Sequence, residues 1–307
     1  MTASAEAAPA PSTSVRGVDL FALVVCSLIW STTWYAIKHQ LGVVPPIVSV
    51  VYRFSLAAAV LFAWCWITRQ PLRLTRAQHL VVAGQGMFVF ALDYAFVYLA
   101  ETQVVSAVVA VIFASLSFVN LILFRAAMGV RAAPMAWLGS ALGLAGVAVL
   151  SWGEVWQGAL KTEALVGIGF ALAGVLTAAI GNMFASKGQA QGVSVAASTA
   201  WSMAYGAGGL ALYALVSGTP FLFEPTVGYV VSLLYLAVFG SVAAFLLYYA
   251  LARRTGYSFA SYISALTPPI AMGISAVFEG ARWGWEALAG LVLVLIGQVL
   301  LIRAPKA

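Results

Sequence analysis

The chain has 307 residues, of which 63% are hydrophobic and 8% charged, and a mean hydropathy of +1.01. A soluble domain carries about 25% charged residues, so these values exclude one and point to a polytopic membrane protein. The formal net charge of +6 does not indicate nucleic acid, because no basic cluster interleaves with aromatics; the basic residues read instead as orientation signals beside membrane spans.

Residues 1–15, rich in Ala, Pro, Ser and Thr, are expected to form a disordered cytoplasmic tail. They lack a positive n-region, so a cleavable signal peptide is not expected and Arg16 opens an uncleaved first span. Ten apolar runs follow, at 20–38, 45–67, 80–100, 104–124, 134–152, 164–186, 193–216, 227–252, 257–278 and 286–302. A hydrocarbon core about 30 Å thick needs roughly 20 such residues as a helix. The fold class is therefore all-α, with ten transmembrane helices. The connections are short and punctuated by Pro45, Pro46, Pro71, Gly129, Pro134, Gly188, Gly192, Gly218, Pro220, Pro225 and Gly256. None can hold a soluble domain, so function must reside between helices.

Cys26 and Cys65 lie in apolar runs with no CxxC or Cys/His neighbourhood, and His39 and His79 lie at span ends. No metal or other cofactor is implied. With the N-terminus in the cytoplasm, eleven basic residues fall inside (Arg16, Arg69, Arg73, Arg76, Arg125, Arg131, Lys187, Arg253, Arg254, Arg303 and Lys306). Three fall outside, Lys38, Lys161 and Arg282. This positive-inside asymmetry, with an even span count, places both termini in the cytoplasm.

The ninth run holds Pro268 and Pro269 at its middle. A proline has no N–H to donate and frees the carbonyl four residues back. In lipid a freed carbonyl must be satisfied by protein or by a water-filled cavity. The pair is thus a candidate helix break and gating point.

The chain also resembles itself. At an offset of 149 residues Phe21-Ala22-Leu23 falls on Phe170-Ala171-Leu172 and Lys38 on Lys187; at 154, Leu92 and Tyr94 fall on Leu246 and Tyr248; at 151, Gly139, Gly146 and Leu150 fall on Gly290, Gly297 and Leu301. Two halves of five spans follow: 16–152 and 164–303, joined by an external connection at 153–163 and ending in a cytoplasmic tail at 304–307. An odd span number per half makes the halves inverted repeats, a construction of secondary transporters.

These features resemble the drug/metabolite transporter superfamily, in its branch built from two EamA-type five-helix repeats. The motifs are Trp30-Ser31-Thr32-Thr33-Trp34 leading to Lys38, the pair Arg53-Phe54, and Pro268 with Glu279 in the fourth span of the second repeat. The first repeat departs, with Ala114 and Arg125 at the latter places. Within the superfamily the chain is similar to bacterial exporters of aromatic and other neutral amino acids. The resemblance implies a multi-pass protein of the bacterial inner membrane that carries such substrates by alternating access.

Candidate cavity residues come from spacing. Met87, Phe90, Tyr94 and Tyr98 form one helical stripe in the third run, and Phe245 and Tyr248 its counterpart in the eighth; Trp30 and Trp34 are four apart in the first. The plain alternative is helix packing or an interfacial belt. Asn182, aligned with Thr33, and Ser264 are candidate contacts for a polar end, or else ordinary interhelical hydrogen bonds. Asp93 is the acid placed well inside a span and Arg53 the base. Such groups mark pathways or pair with each other, so Asp93 is either a substrate or coupling site or the structural partner of Arg53. The stripe Gly139, Gly143 and Gly146, with Gly290 and Gly297, serves either the scaffold or a homodimer face.

No GxxxxGK[ST], HExxH or GxSxG motif occurs, so a nucleotide-driven pump and an intramembrane enzyme are both unsupported. Export of another small metabolite or a drug-like cation is the alternative. A phosphorylated substrate would require several mid-membrane cations, and only Arg53 qualifies.

Overall fold

The computed structural model describes residues 16–129, 133–157, 162–255, 260 and 262–304. The tail at 1–15, the middle of the 153–163 connection, the start of the ninth run up to 259, and residues 305–307 lie outside the described residues.

Among the described residues, each apolar run falls on a helix. They are α1 (Gly17–Lys38), α2 (Pro46–Ile67), α3 (Arg76–Glu101), α4 in two pieces (α4a, Ser106–Phe113; α4b, Leu116–Met128), α5 (Pro134–Gln157), α6 (Thr162–Ala190), α7 (Val195–Val216), α8 (Val227–Thr255), α9 (Tyr262–Phe278) and α10 (Trp285–Arg303). Among the described residues six helices, α1, α2, α3, α4 as a whole, α6 and α8, are long and apolar enough to cross a bilayer. Segments 134–150, 266–278 and 285–301 are apolar but shorter, and α7 is diluted by Ser198, Thr199, Ser202 and three glycines. The fold is a helical membrane bundle. Helix α5 continues to Gln157, into the segment expected to be a connection.

Local chemistry sets several helix ends. Thr75 and Gln78 form a reciprocal cap at the start of α3, and the hydroxyls of Ser194 and Thr226 accept the N–H groups of Ala197 and Tyr229. Pro46 occupies the first turn of α2, where its missing N–H is harmless. Gly129 closes α4 with φ of 66°, a left-handed cap open to glycine.

Helix α5 packs along α10 glycine to glycine. A Cβ on Gly139 would stand 2.6 Å from the Gly297 carbonyl oxygen, and one on Gly146 2.6 Å from that of Gly290. Small residues allow this approach in lipid, where dispersion and packing replace the hydrophobic effect. These stripes therefore meet each other within one chain and are not free to serve as a homodimer face.

The other neighbours follow a pattern. Helix α2 packs on α7, α4 on α9, α1 on α9 and α8, and α3 on α7 and α6; α6 also packs on α4, and α8 on α2. These pairs map onto one another when each helix is replaced by the one five places along, whereas α1 also packs on α4 and α5 on α6.

Two departures from α-helical winding bear on function. Helix α3 is π-helical over Gly86–Asp93 and α8 over Val238–Ala243, at matching places in the two halves. The second departure concerns the prolines. Helix α9 runs unbroken through Pro268 and Pro269, and Ser31 of α1 donates to the Thr267 carbonyl beside them at 3.3 Å. The expected break is instead in α4, at Ala114-Ser115, where no proline stands. There Gln298 of α10 donates to the Ala114 carbonyl at 2.7 Å, and the Ser115 hydroxyl to Ile112 at 2.6 Å. A helix breaks where its backbone groups find other partners, whether or not a proline is present.

Candidate functional site

A cavity of about 110 Å³ lies at the centre of the bundle. Engineered apolar cavities of roughly 150 Å³ accept benzene, so its scale is that of a small ring or side chain. Its walls come from α1, α3 and α4 and from α6, α8 and α9. These are the same three helices of each half. Several wall positions are also counterparts at the offsets seen in the sequence: Thr33 and Asn182, Tyr94 and Tyr248, Ala110 and Ser264, Phe113 and Thr267.

Trp30, Trp34, Asp93, Tyr94, Asn182, Phe245, Tyr248 and Ser264 all line this cavity. The aromatic rings brace one another. Trp30 stands 5.3 Å from Phe245 and 5.3 Å from Tyr248, Trp34 5.2 Å from Phe113, and Tyr94 4.7 Å from Phe54. Tilted and edge-on rings at such distances hold each other in place.

Four of the expected residues are placed elsewhere. Met87 lies against Gly209 and is partly exposed. Phe90 is buried between Phe54 and Phe245. The π-helical turns explain both, since winding wider than 3.6 residues shifts the face of every residue before Asp93. The stripe that reaches the cavity is Val89, Asp93, Tyr94 and Val97. Tyr98 is fully buried one turn beyond it. Arg53 lies behind the wall, its guanidinium carbon 4.5 Å from the centre of the Tyr94 ring. Phe113 and Thr267 were not picked out from sequence as cavity residues. Their offset of 154 residues was the signal that could have found them.

Arg53 does not pair with Asp93, since no ion pair joins them among the described residues. Its Nε donates to the Ser241 hydroxyl at 2.9 Å and its Nη2 to the Gly240 carbonyl at 3.5 Å. The same carbonyl accepts Trp30 Nε1 at 3.3 Å. The π-helical turn of α8 thus offers a backbone oxygen that fixes one aromatic wall and the buried arginine together. Gly240 leaves room for this, because a Cβ there would meet the Thr33 methyl at 2.7 Å.

Asp93, by contrast, is buried and lines the cavity, and its Oδ1 has no hydrogen-bond partner. The same holds for Trp34 Nε1. Asn182 Nδ2 reaches Asn120 Oδ1 only at 3.5 Å. The cavity therefore presents aromatic walls, one carboxylate and two N–H donors, and no basic side chain lines it among the described residues.

Ion pairs mark the two ends of α1. At its start Arg254 of α8 donates to Asp19 at 2.8 Å through both Nε and Nη2. At its end Lys38 lies 3.9 Å from Glu279, and its Nζ donates to the Glu101 and Val104 carbonyls at 3.1 and 3.3 Å. The Glu279 carboxylate also accepts the hydroxyls of Ser106, at 2.5 Å, and Ser275.

A family model for EamA-like transporters matches the chain twice, at residues 18–152 and 165–303. The chain is 27% identical to an uncharacterized inner membrane transporter, YedA, of Escherichia coli K12, over 93% of its own length and 92% of that protein's. It is 25% identical to the protein PagO of Salmonella typhimurium, with the same shares covered. A protein crystal structure superposes with a TM-score of 0.68 at 18% identity, over 93% of this chain and 96% of that one. The chain belongs to the EamA-like transporter family, whose members are membrane transporters rather than enzymes.

Proposed function

We propose that this transporter exports small hydrophobic and aromatic neutral amino acids from the cytoplasm by alternating access through the central cavity. Ten crossing helices, as two inverted repeats, bracket that cavity. Support comes from the doubled family match, the exchange symmetry of the helix pairs and the paired wall positions. The reading places the chain in a bacterial inner membrane with both termini in the cytoplasm, following the basic-residue asymmetry.

One observation carries the substrate class: aromatic walls surround an acid and two N–H donors that lack full partners. An amino-acid zwitterion satisfies them all. Its ammonium meets Asp93, its carboxylate meets Trp34 Nε1 and the Asn182 amide, and its side chain rests against Trp30, Phe245 and Tyr248. A drug-like cation uses the walls and the acid but leaves the donors idle. A phosphorylated substrate finds no cation on the walls.

The test is saturable flux of labelled phenylalanine by purified protein in liposomes, with Tyr94→Ala and Tyr248→Ala beside the wild type. Flux that saturates and falls in both variants supports the reading. No flux of any neutral amino acid from folded protein rejects it.

A further inference from the structure

Buried polar atoms in proteins are nearly always paired, and the exceptions call for an explanation. Here several of the exceptions gather along α3. They are Asp93 Oδ1 and both carboxylate oxygens of Glu101, with Tyr98 and Arg53 nearby. Glu101 is 1% exposed and lies at the end of α3, outside the cavity wall. A carboxylate costs far more to bury than a neutral acid when nothing donates to it. The Glu101 carboxylate receives no hydrogen bond among the described residues, although Ser106 and Ser275 give theirs to Glu279.

The charged groups around Glu101 are set by several helices. Lys38 faces it from α1, Arg53 from α2 and Glu279 from the end of α9; Tyr98 is its neighbour on α3. Helix α6 packs beside this turn through Gly167, against Ala100, Gln103 and Val104, and carries Glu163 one turn earlier. Lys38 acts on the Glu101 carboxylate only across space, because its Nζ is directed to two backbone carbonyls and to Glu279. Arg53 acts electrostatically on Asp93, Tyr94, Tyr98 and Glu101 together. It thereby links the cavity acid to the acid at the end of the helix.

Resting on the exporter reading above, we infer that Glu101 is a proton-binding site that couples inward proton movement to outward substrate movement. When the Lys38–Glu279 contact parts, Glu101 meets the outer solution and takes a proton. When it closes, the protonated side chain is sealed in the surroundings seen here. An ammonium arriving at Asp93 changes the charge next to Arg53, and the proton leaves toward the cytoplasmic side. One proton is bound and one released per cycle, with no bond made or broken in the substrate. Buried acids in membrane helices serve as such relays elsewhere.

Two measurements on full-length protein test this. The first is an infrared pH titration of wild type and Glu101→Gln in lipid. Their difference should show one carboxyl group passing between its acid and carboxylate forms from mildly acidic to mildly alkaline pH. A Glu101 that keeps one form throughout that range overturns the proposal, whatever the substrate. The second compares phenylalanine accumulation driven by an imposed proton gradient with phenylalanine exchange at equal pH. In Glu101→Gln the ratio of driven accumulation to exchange should fall about tenfold, and substrate-induced proton movement, read by a trapped pH dye, should be lost. A purely structural Glu101 would lower both activities together and leave the ratio unchanged, which overturns the proposal. Absence of exchange by the wild type rejects the amino-acid reading alone, and the infrared titration then decides the proton site.

Discussion

Asp93 and Arg53 are four decades of residues apart in the chain but share one electrostatic neighbourhood, and they divide its labour. Arg53 is bound into the scaffold by Ser241, Gly240 and the Tyr94 ring. Its guanidinium offers a planar fork and a flat face, which an ammonium does not reproduce. Arg53→Lys should therefore fail to restore stability, and Arg53→Gln should lose about 1.5–3 kcal/mol, the usual worth of hydrogen bonds to a charged group. Thermal unfolding of the detergent-solubilised protein reads both; a Lys variant as stable as wild type would show that charge alone matters. Asp93 has no such anchorage. Asp93→Asn should keep the melting temperature within a degree or two, roughly what a change under 1 kcal/mol produces. Its phenylalanine affinity should drop by about tenfold or more, since an ammonium–carboxylate contact is worth about 1.5–3 kcal/mol. Equilibrium binding of labelled phenylalanine checks this, and unchanged affinity would remove Asp93 from the substrate contacts.

At the scale of the element, two devices position the cavity wall. One is the pair of π-helical turns, which bring Asp93 and Tyr94 inward and free the Gly240 carbonyl for Trp30 and Arg53. The other is the break in α4, held open by Gln298. Gln298→Met keeps the volume but leaves the Ala114 carbonyl without its donor. The expected cost is about 1–3 kcal/mol, seen as a lower unfolding midpoint with the substrate affinity altered through Phe113. The α5–α10 seam tolerates even less. Gly297→Ala would place its Cβ 2.5 Å from the Gly139 carbonyl oxygen, and overpacking of this kind costs about 1–3 kcal/mol. A variant as stable as wild type would mean that the two helices do not meet at their glycines in the membrane.

Over the whole molecule, α1 is the element that both ends hold. Asp19–Arg254 ties its start to α8, and Lys38–Glu279 ties its end to α9, with Trp30, Thr33 and Trp34 facing the cavity between them. Alternating access requires the two ends to open in turn. A short thiol cross-link between Lys38→Cys and Glu279→Cys, with Cys26 and Cys65 replaced, should stop flux while leaving the protein folded. Cleaving the link should restore it. Flux that persists in the linked protein would show that this end does not open during transport.

Much of this was legible in the sequence because lipid imposes a simple rule: long apolar runs become helices that satisfy their own backbone. Composition thus determined the class, the order of apolar runs the helix positions, and the internal offsets the pairing of Tyr94 with Tyr248 and of Thr33 with Asn182. The same spacing argument misplaced Met87 and Phe90, since it assumed 3.6 residues per turn where α3 is wound more widely. Likewise Pro268 and Pro269 pointed to a break that the chain makes at Ala114, where a glutamine 184 residues away supplies the missing partner. Winding, breaks and the destination of buried hydrogen bonds depend on which groups meet across helices. Those meetings are set by packing between distant segments, and only the tertiary structure decided them.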